Sequence, residues 1–423
     1  RIYLGDILEK VCFLTLGCKV NKYESDCMAN ILKENGYLVT SNFEKADIYV
    51  VNTCAVTNEG EKKSRQIFHK IKELNPNAKI IVCGCASEHN LKQFEDKGAF
   101  GGIGNVNKET ILSVIQNGGF IKFDQEKNYE KLSNPYISST RAYIKVQDGC
   151  DRFCSYCIIP YLRGRSRSRD LESLIKEAKI LSETSKEIVL VGIDISDYKV
   201  NGESALGKLI YSLKDLPSRI RLGSFEANII TKDLLDLLIQ VPNFAPHFHL
   251  SLQSGDTSVL KAMNRKYTAE EFLEKCKLIK SYFPDANITT DIIVGFPTET
   301  EKEFENTVRF AKTVGFGKIH VFPYSVRTGT VASKMKDLPL SVKKERVAKL
   351  TKVSDELEIA FNQSMLGKTK KVLFEDEEDD FMVGFTDNYI KVYADKSKVK
   401  SGDLIEVRLT ELFKLGIKGE VLC

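Results

Sequence analysis

The chain has 423 residues, 42% hydrophobic and 28% charged, with a formal net charge of +4. That length calls for two or three domains, and apolar runs such as "IYVV" and "IIVCGCA" are far too short to cross a bilayer. A charge of +4 is too mild by itself to demonstrate a nucleic-acid partner. Eleven cysteines, an odd number, argue against a disulfide framework and for metal binding or thiol chemistry, while five histidines leave little for a histidine-rich site. No basic segment followed by an apolar stretch and a small-residue cleavage site stands at the start, so a cytoplasmic location with no membrane association is expected. The chain opens on Arg1, and its natural N-terminus is expected upstream.

Residues 10–120 alternate strand and helix patterns. "VCFLTLG", "ADIYVVN" and "AKIIVCG" read as strands, "SDCMANILKENG" and "EGEKKSRQIFHKIKEL" as helices. Continuous β-branched runs between helices predict a parallel sheet covered on both faces, hence an open α/β domain. The polar stretch "FDQEKNYEKLSNPYISST" reads as a linker. From 141 to 330 come six more strand patterns, "AYIKVQ", "EIVLVG", "RIRLGS", "HFHLSL", "NITTDIIVG" and "KIHVFP", separated by helices. Six βα units predict a partial barrel. A long charged helix, "SVKKERVAKLTKVSDELEIAFNQSM", leads to five short strand patterns beyond 367, expected to close a small antiparallel β-barrel. The fold class is therefore α/β with a terminal all-β module.

Three cysteines gather in "DGCDRFCSYCIIP": Cys150, Cys154 and Cys157, spaced C-x3-C-x2-C. A structural zinc site closes with four ligands, and this window offers three thiols and no histidine. Iron–sulfur clusters take thiolates at such short spacings, and three thiolates on a four-iron cluster leave one iron open to a small molecule. The cysteines follow the first barrel strand, where ligands bind. With an aromatic at Tyr156, the motif resembles the radical S-adenosylmethionine superfamily. That resemblance implies S-adenosylmethionine on the open iron and its reductive cleavage to a 5′-deoxyadenosyl radical.

Cys18, Cys54 and Cys85 each stand just past the end of a candidate parallel strand. Those ends face one crevice in an open α/β sheet, which would let the three converge on a second cluster. The competing reading of any one of them is a small buried hydrophobe. Cys83, two residues from Cys85 and on the same face of the strand, is a rival ligand.

The words "TLGCKVNKYESD", "NTCAVTNEGEKKSR", "GCASE", "RAYIKVQDGCDRFCSYCIIPYLRGRSRSR", "LSLQSGDTSVLKAMNRKYT", "TTDIIVGFPTETEKEF" and "VFPYSVRTGT" resemble the radical S-adenosylmethionine methylthiotransferases. The resemblance covers nearly the whole chain. It implies a methylthiotransferase N-terminal domain at 9–122, a radical core at 136–365 and a TRAM barrel at 366–423. It implies two [4Fe–4S] clusters, the auxiliary one on Cys18, Cys54 and Cys85, since the family word Gly-Cys-x-x fits Gly84-Cys85 better than Cys83. Tyr156, Glu226 and Gln253 become expected contacts to S-adenosylmethionine. The chain departs from the commoner wording at Glu88 and Asp194, where glutamine or asparagine often stands.

The wording "CIIPYLRGRSRSR", with Lys19-Val20 after the first cysteine, looks most like the branch acting on N6-threonylcarbamoyladenosine at position 37 of the tRNA anticodon loop. Branches acting on isopentenyladenosine-37 or on ribosomal protein S12 are the alternatives within the family. A non-catalytic iron–sulfur tRNA-binding protein is the alternative outside it. The expected mechanism uses two molecules of S-adenosylmethionine, one as methyl donor and one as radical source, since no side chain is a strong enough base for the C2 hydrogen. A monomer served by an electron donor such as flavodoxin or ferredoxin is expected. Arg163, Arg165, Arg167 and Arg169 alternate after the cysteine loop, and in an extended segment they would line one side as a phosphate clamp. His247 and His249 alternate on one strand and read as core or supporting residues rather than metal ligands. Residues 366–423 carry ten Lys+Arg against twelve Asp+Glu, so RNA binding there needs a local basic face such as Lys368–Lys371.

Overall fold

The computed structural model describes residues 8–55, 58–121, 132, 135 and 140–422. The expected linker at 123–140 lies, but for residues 132, 135 and 140, outside the described residues. The chain divides into two compact units. Residues 1–139, 143–151 and 157–169 form the first; residues 140–142, 152–156 and 170–423 form the second.

The first unit is built on a six-stranded parallel sheet: β1 (Lys10–Thr15), β2 (Leu38–Thr40), β3 (Ile48–Thr53), β4 (Lys79–Gly84), β5 (Gly101–Ile103) and β6 (Gly119–Ile121). Their order is β2-β1-β3-β4-β5-β6. All six residues of β3 are buried, as a parallel strand covered on both faces requires. The helix Lys19–Glu34 starts directly at Cys18, its N-cap, and buries Val20, Tyr23, Met28 and Leu32. Tyr23, Met28 and Leu32 pack with Val11, Phe13, Val50 and Ile81 in the core. The strand order reverses between β1 and β3, so the carboxyl ends of β1, β3 and β4 lie beside a topological switch point. Strands β2, β5 and β6 escape sequence reading because each has three residues, and "GGI" has almost no β-branched signal. A further strand, β7 (Arg141–Asp148), meets the two-residue β8 (Arg167–Ser168) in antiparallel register through Gln147 and Asp148.

In the second unit the expected βα alternation is present. β9 (Glu187–Gly192) is followed by the small hairpin β10 (Lys199–Val200) and β11 (Glu203–Ser204), then by β12 (Arg219–Leu222), which pairs parallel with β9. β13 (His247–Gln253), β14 (Asn287–Val294) and β15 (Lys318–Pro323) form a parallel trio. Parallel bridges Ile220–Phe244 and Phe225–Leu250 carry the curvature from β12 to β13. Helices Ala269–Tyr282 and Glu301–Val314 both begin with a capping box, Thr268 with Glu271 and Thr300 with Glu303.

After the helix Leu340–Gln363, five strands close a barrel: β16 (Thr369–Glu378), β17 (Phe381–Thr386), β18 (Lys391–Asp395), β19 (Leu404–Phe413) and β20 (Gly416–Val421). Four seams are antiparallel, but β18 meets β20 in parallel. The sequence shows strand and turn but not which edges meet, so the parallel seam is not legible there.

The barrel is fastened by charge. Glu187, fully buried, receives Arg221 at 2.9 Å, Arg141 at 3.1 Å and Arg219. Burial pushes its carboxyl up, yet the three guanidiniums hold it well below the usual carboxylate range. The same arginines reach the barrel. Arg219 donates to the carbonyls of Lys371 and Phe385, Arg221 to that of Thr386, each at 3.3 Å, and Arg141 donates to Tyr389 Oη at 3.1 Å. Tyr389 stacks on Phe385 and on His247, centroids 4.7 Å apart in both cases. Removing one partner of a buried ion set strands the rest, at about 3–5 kcal/mol. Glu187→Gln is expected to lose about that much, seen in urea unfolding as an earlier transition of the β16–β20 barrel; an unchanged midpoint would refute the fastening role.

Candidate metal centre

Parallel pairing puts the ends of β1, β3 and β4 on one edge, and a cysteine follows each: Cys18 after Leu16-Gly17, Cys54 after Thr53, Cys85 after Gly84. Side chains draw these turns together. Asn21 Nδ2 donates to the carbonyls of Leu16 at 2.8 Å and Thr53 at 3.0 Å. Thr53 Oγ1 donates to the Cys83 carbonyl at 2.6 Å and accepts the N–H groups of Ala86 and Ser87, fixing the turn that starts at Cys85. Gly17 has φ +100°, and a Cβ there would stand 3.0 Å from Cys54 Sγ. The turn therefore closes onto Cys54 only because residue 17 has no side chain.

Cys85 is buried. Burial pushes its thiol up to about 11, against the pull of Arg163, with Cys18 and Cys54 adding to the rise. Arg163 Nε donates to Cys85 Sγ at 3.4 Å. Its remaining donors are claimed by Glu24 Oε1 at 2.8 Å, Asp148 Oδ1 at 3.0 Å and Asn21 Oδ1 at 2.9 Å. Lys108 and Lys145 approach Glu24 at 3.3 and 3.0 Å, and Lys145 approaches Asp148 at 3.1 Å. With Arg167 also 3.9 Å from Asp148, the cations outnumber these two carboxylates and leave positive charge in excess beside the thiol. Metal ligation needs the thiolate, and this surplus opposes the burial that would keep Cys85 protonated. Three thiols on one sheet edge, one of them cation-assisted, fit an iron–sulfur cluster.

Cys83 sits in the hydrophobic core with Val50, Ile103 and Ile111. Cys12 is buried with its thiol 3.2 Å from the Asn42 carbonyl; Cys27 and Cys276 are buried on helices, and Cys423 lies outside the described residues.

In the loop after β7, Cys150 and Cys157 belong to the first unit and Cys154 to the second. Gly149 has φ +72°, and a Cβ there would fall 2.0 Å from the Arg165 carbonyl oxygen. In the second unit, Arg265 lies 3.5 Å from Cys154 Sγ, 2.9 Å from Glu226 and 2.7 Å from the Ser251 carbonyl. Arg152 joins Asp194 at 2.7 Å to Glu226 at 2.8 Å. Tyr156 packs against Val259, Met263, Phe296 and Tyr324. Gln253 holds φ +74° at a register break in β13, a conformation rare outside glycine. Glu88 accepts the Asn105 N–H at 3.1 Å, and Asp194 is the partner of Arg152.

The four alternating arginines do not form one phosphate-facing row. Residues 159–163 are helical, and only 167–168 are extended. Arg163 is spent on the buried carboxylates, and Arg169, also buried, donates to Tyr23 Oη at 2.9 Å. Arg167 donates to the carbonyls of Arg163 and Arg165 at 2.9 Å each. Arg165 alone is exposed, 3.2 Å from Asp151. Glu24 on an amphipathic helix and Asp148 at a strand end were the available signal, because buried carboxylates demand cations. In the terminal barrel, Lys368 and Lys370 approach Asp285 at 2.6 and 3.3 Å, which reduces the expected basic face.

Two family models match successive parts of the chain. Residues 144–311 match the Radical SAM superfamily, and residues 10–100 match Uncharacterized protein family UPF0004. A radical S-adenosylmethionine methyltransferase, TsrM, from Kitasatospora setae shares the fold, with TM-score 0.57 and 13% identity over 77% of each chain. The class is thus the radical S-adenosylmethionine enzymes. The threonylcarbamoyladenosine tRNA methylthiotransferase of Bacillus subtilis is 38% identical over 94% of this chain and 93% of its own. That of Aquifex aeolicus is 36% identical, over 94% and 99%. A tRNA-2-methylthio-N(6)-dimethylallyladenosine synthase of Bacillus mycoides is 35% identical, over 96% and 85%. The chain belongs to the radical S-adenosylmethionine methylthiotransferase family. It is an enzyme transferring a sulfur-containing group, with [4Fe–4S] clusters and S-adenosylmethionine as cofactors. Among the described residues, no helix is long and apolar enough to cross a membrane.

Burial pushes the Glu24 and Asp148 carboxyls up, but Arg163, Lys108 and Lys145 together hold both well below the usual range. Carboxyls depressed in the folded state stabilise it above their unfolded pKa of about 4 and release that stability as pH falls. The first unit is expected to lose stability progressively below about pH 4. Denaturation curves of Glu24→Gln should start lower at pH 7 and vary less between pH 4 and 2; a pH dependence equal to wild type would refute this.

Proposed function

We propose that the protein is a tRNA methylthiotransferase that converts N6-threonylcarbamoyladenosine-37 of the anticodon loop to its 2-methylthio derivative. The observation that carries the reading is Cys18, Cys54 and Cys85 at one sheet edge beside Arg163, in a chain that also bears C-x3-C-x2-C. Relatives named for threonylcarbamoyladenosine at 36–38% identity support the substrate. Those named for dimethylallyladenosine, at 32–35%, make the prenylated base the second reading.

In this proposal residues 9–122 hold the auxiliary cluster through Cys18, Cys54 and Cys85. Residues 136–365 hold the radical cluster through Cys150, Cys154 and Cys157, and residues 366–423 are an RNA-contacting TRAM barrel. Bound there, the clusters and two molecules of S-adenosylmethionine supply a methyl group, a sulfur site and a radical able to take the C2 hydrogen. The chain supplies position and charge. Arg163, immobilised by Glu24 and Asp148, donates to the Cys85 thiolate. Arg265 ties Cys154 to Glu226, which with Tyr156 and Gln253 contacts the cofactor. Of the four arginines, Arg165, exposed and 3.2 Å from Asp151, is the one placed at the surface where a phosphate would approach. The protein works in the cytoplasm, as a monomer, with a one-electron donor of flavodoxin or ferredoxin type.

Cys85→Ala is expected to lower reconstituted iron from about eight to about four atoms per chain. Cys83→Ala should keep the full complement, and the reverse pattern would sink the ligand assignment. The substrate is tested by anaerobic turnover with tRNAs bearing either modified adenosine, followed by mass spectrometry of the nucleosides. The 2-methylthio product is expected from the threonylcarbamoyl base; product only from the prenylated base would select the second reading.

A further inference from the structure

The inner strands of the second unit bring together a group that the cysteine chemistry does not use. β13, β14 and β15 run parallel and adjacent, with His249 opposite Thr289 and Asp291 opposite His320. One ligand-type atom from each of His249, Asp291 and His320 lies within 4.8 Å of the others. His249 Nε2 is 3.1 Å from Asp291 Oδ2, and its Nδ1 is 2.8 Å from Thr289 Oγ1, which also meets His247 Nε2 at 2.8 Å. This face is polar and open: His249 and Asp291 are half-buried, and His320 is exposed. The opposite face of the same strands, with Phe248, Leu250, Leu252, Ile288 and Ile292, is buried.

The group also lies at a useful distance from the radical chemistry. Ser251 follows His249 by two residues on the same face, a step of about 7 Å along the strand. The Ser251 carbonyl accepts from Arg265, which reaches Cys154 Sγ at 3.5 Å. His249 therefore stands within about 15 Å of that thiol. The reacting C2 and the N6 substituent belong to one base, so a group that reads the substituent must lie about that far from the radical source.

We propose that His249, Asp291 and His320 form the subsite that reads the threonylcarbamoyl substituent of adenosine-37. The inference rests on the substrate reading above. A threonylcarbamoyl group offers a carboxylate, a hydroxyl and ureido N–H groups. His320 donates an imidazole N–H to the carboxylate, while Asp291, oriented by His249 Nε2, accepts from the hydroxyl or a ureido N–H. A dimethylallyl group offers no polar atom. Its entry would strip water from the exposed imidazole and the carboxylate and return no hydrogen bond, the situation in which polar sites discriminate most strongly. Two histidines and a carboxylate are also a donor set for a divalent transition ion, and that occupant is an outcome of the test.

The test uses the reconstituted full chain and its variants Asp291→Asn and His320→Leu. Binding is measured by fluorescence anisotropy to anticodon stem–loops bearing threonylcarbamoyladenosine, its methyl ester, dimethylallyladenosine or plain adenosine, with metal content and thermal midpoint measured in parallel. Wild type is expected to bind the threonylcarbamoyl loop at least about ten-fold more tightly than the other three. Both variants should lose most of that preference while keeping iron content and midpoint. Retention of the preference in both variants would overturn the subsite. So would a stoichiometric non-iron metal in wild type that Asp291→Asn abolishes. A wild type that prefers the dimethylallyl loop, or neither modified base, overturns the substrate reading and this inference with it. That outcome is told apart from failure of the subsite alone because it appears before any substitution.

Discussion

One guanidinium organises the first unit. Arg163 is buried beside a cysteine, and burying a charge is costly unless partners are already in place. Glu24 and Asn21 come from the first helix and Asp148 from the end of β7. Each is needed to hold the guanidinium, and the guanidinium in turn holds the loop after the cysteine motif against the sheet edge. Lys108, Lys145 and, 3.9 Å from Asp148, Arg167 complete the set and leave it with excess positive charge. The cost of assembling these charges in a dry interior is met only when the surrounding segments are all in register. The cysteine edge and the local fold are thus specified together.

Strand and helix patterning was legible for most of the chain because buried parallel strands advertise themselves as β-branched runs. "IYVVNT" and "NITTDIIV" needed no other information. The three-residue strands and the parallel seam of the terminal barrel were not legible. The first lack enough side chains to set a period, and the second depends on which edges meet in space. Cysteine spacing and strand-end placement singled out the six cysteines as candidate donors. What stayed hidden was the use of cations. Arg163, Arg165, Arg167 and Arg169 look alike in the sequence, and only the positions of Glu24, Asp148 and Tyr23 separate buried members from the exposed one. Alternation implies a shared face only if the backbone is extended, and a helix at 159–163 breaks that condition.

The second unit divides its labour between strand faces. The apolar face packs against helices and carries the stability, so the other face is free to hold polar groups. His247 and His249 were read as supporting residues, and His247 is one: it stacks on Tyr389 and bonds to Thr289. His249 differs because its neighbours across β14 and β15 are a carboxylate and a second imidazole, a meeting set by register that one strand alone cannot reveal.

The fastening of the terminal barrel bears on modularity. Arg141, Arg219 and Arg221 share one carboxylate at Glu187, and part of their remaining donor capacity is taken up by barrel carbonyls, Tyr389 and Glu375. Cutting the chain before the barrel would leave three arginines crowded on a single glutamate, with their barrel acceptors gone and a tyrosine-sized gap over His247. Such a surface repels itself. The barrel is therefore a piece that the α/β body has come to require, and the two are expected to be inherited and exchanged together rather than shuffled as independent parts.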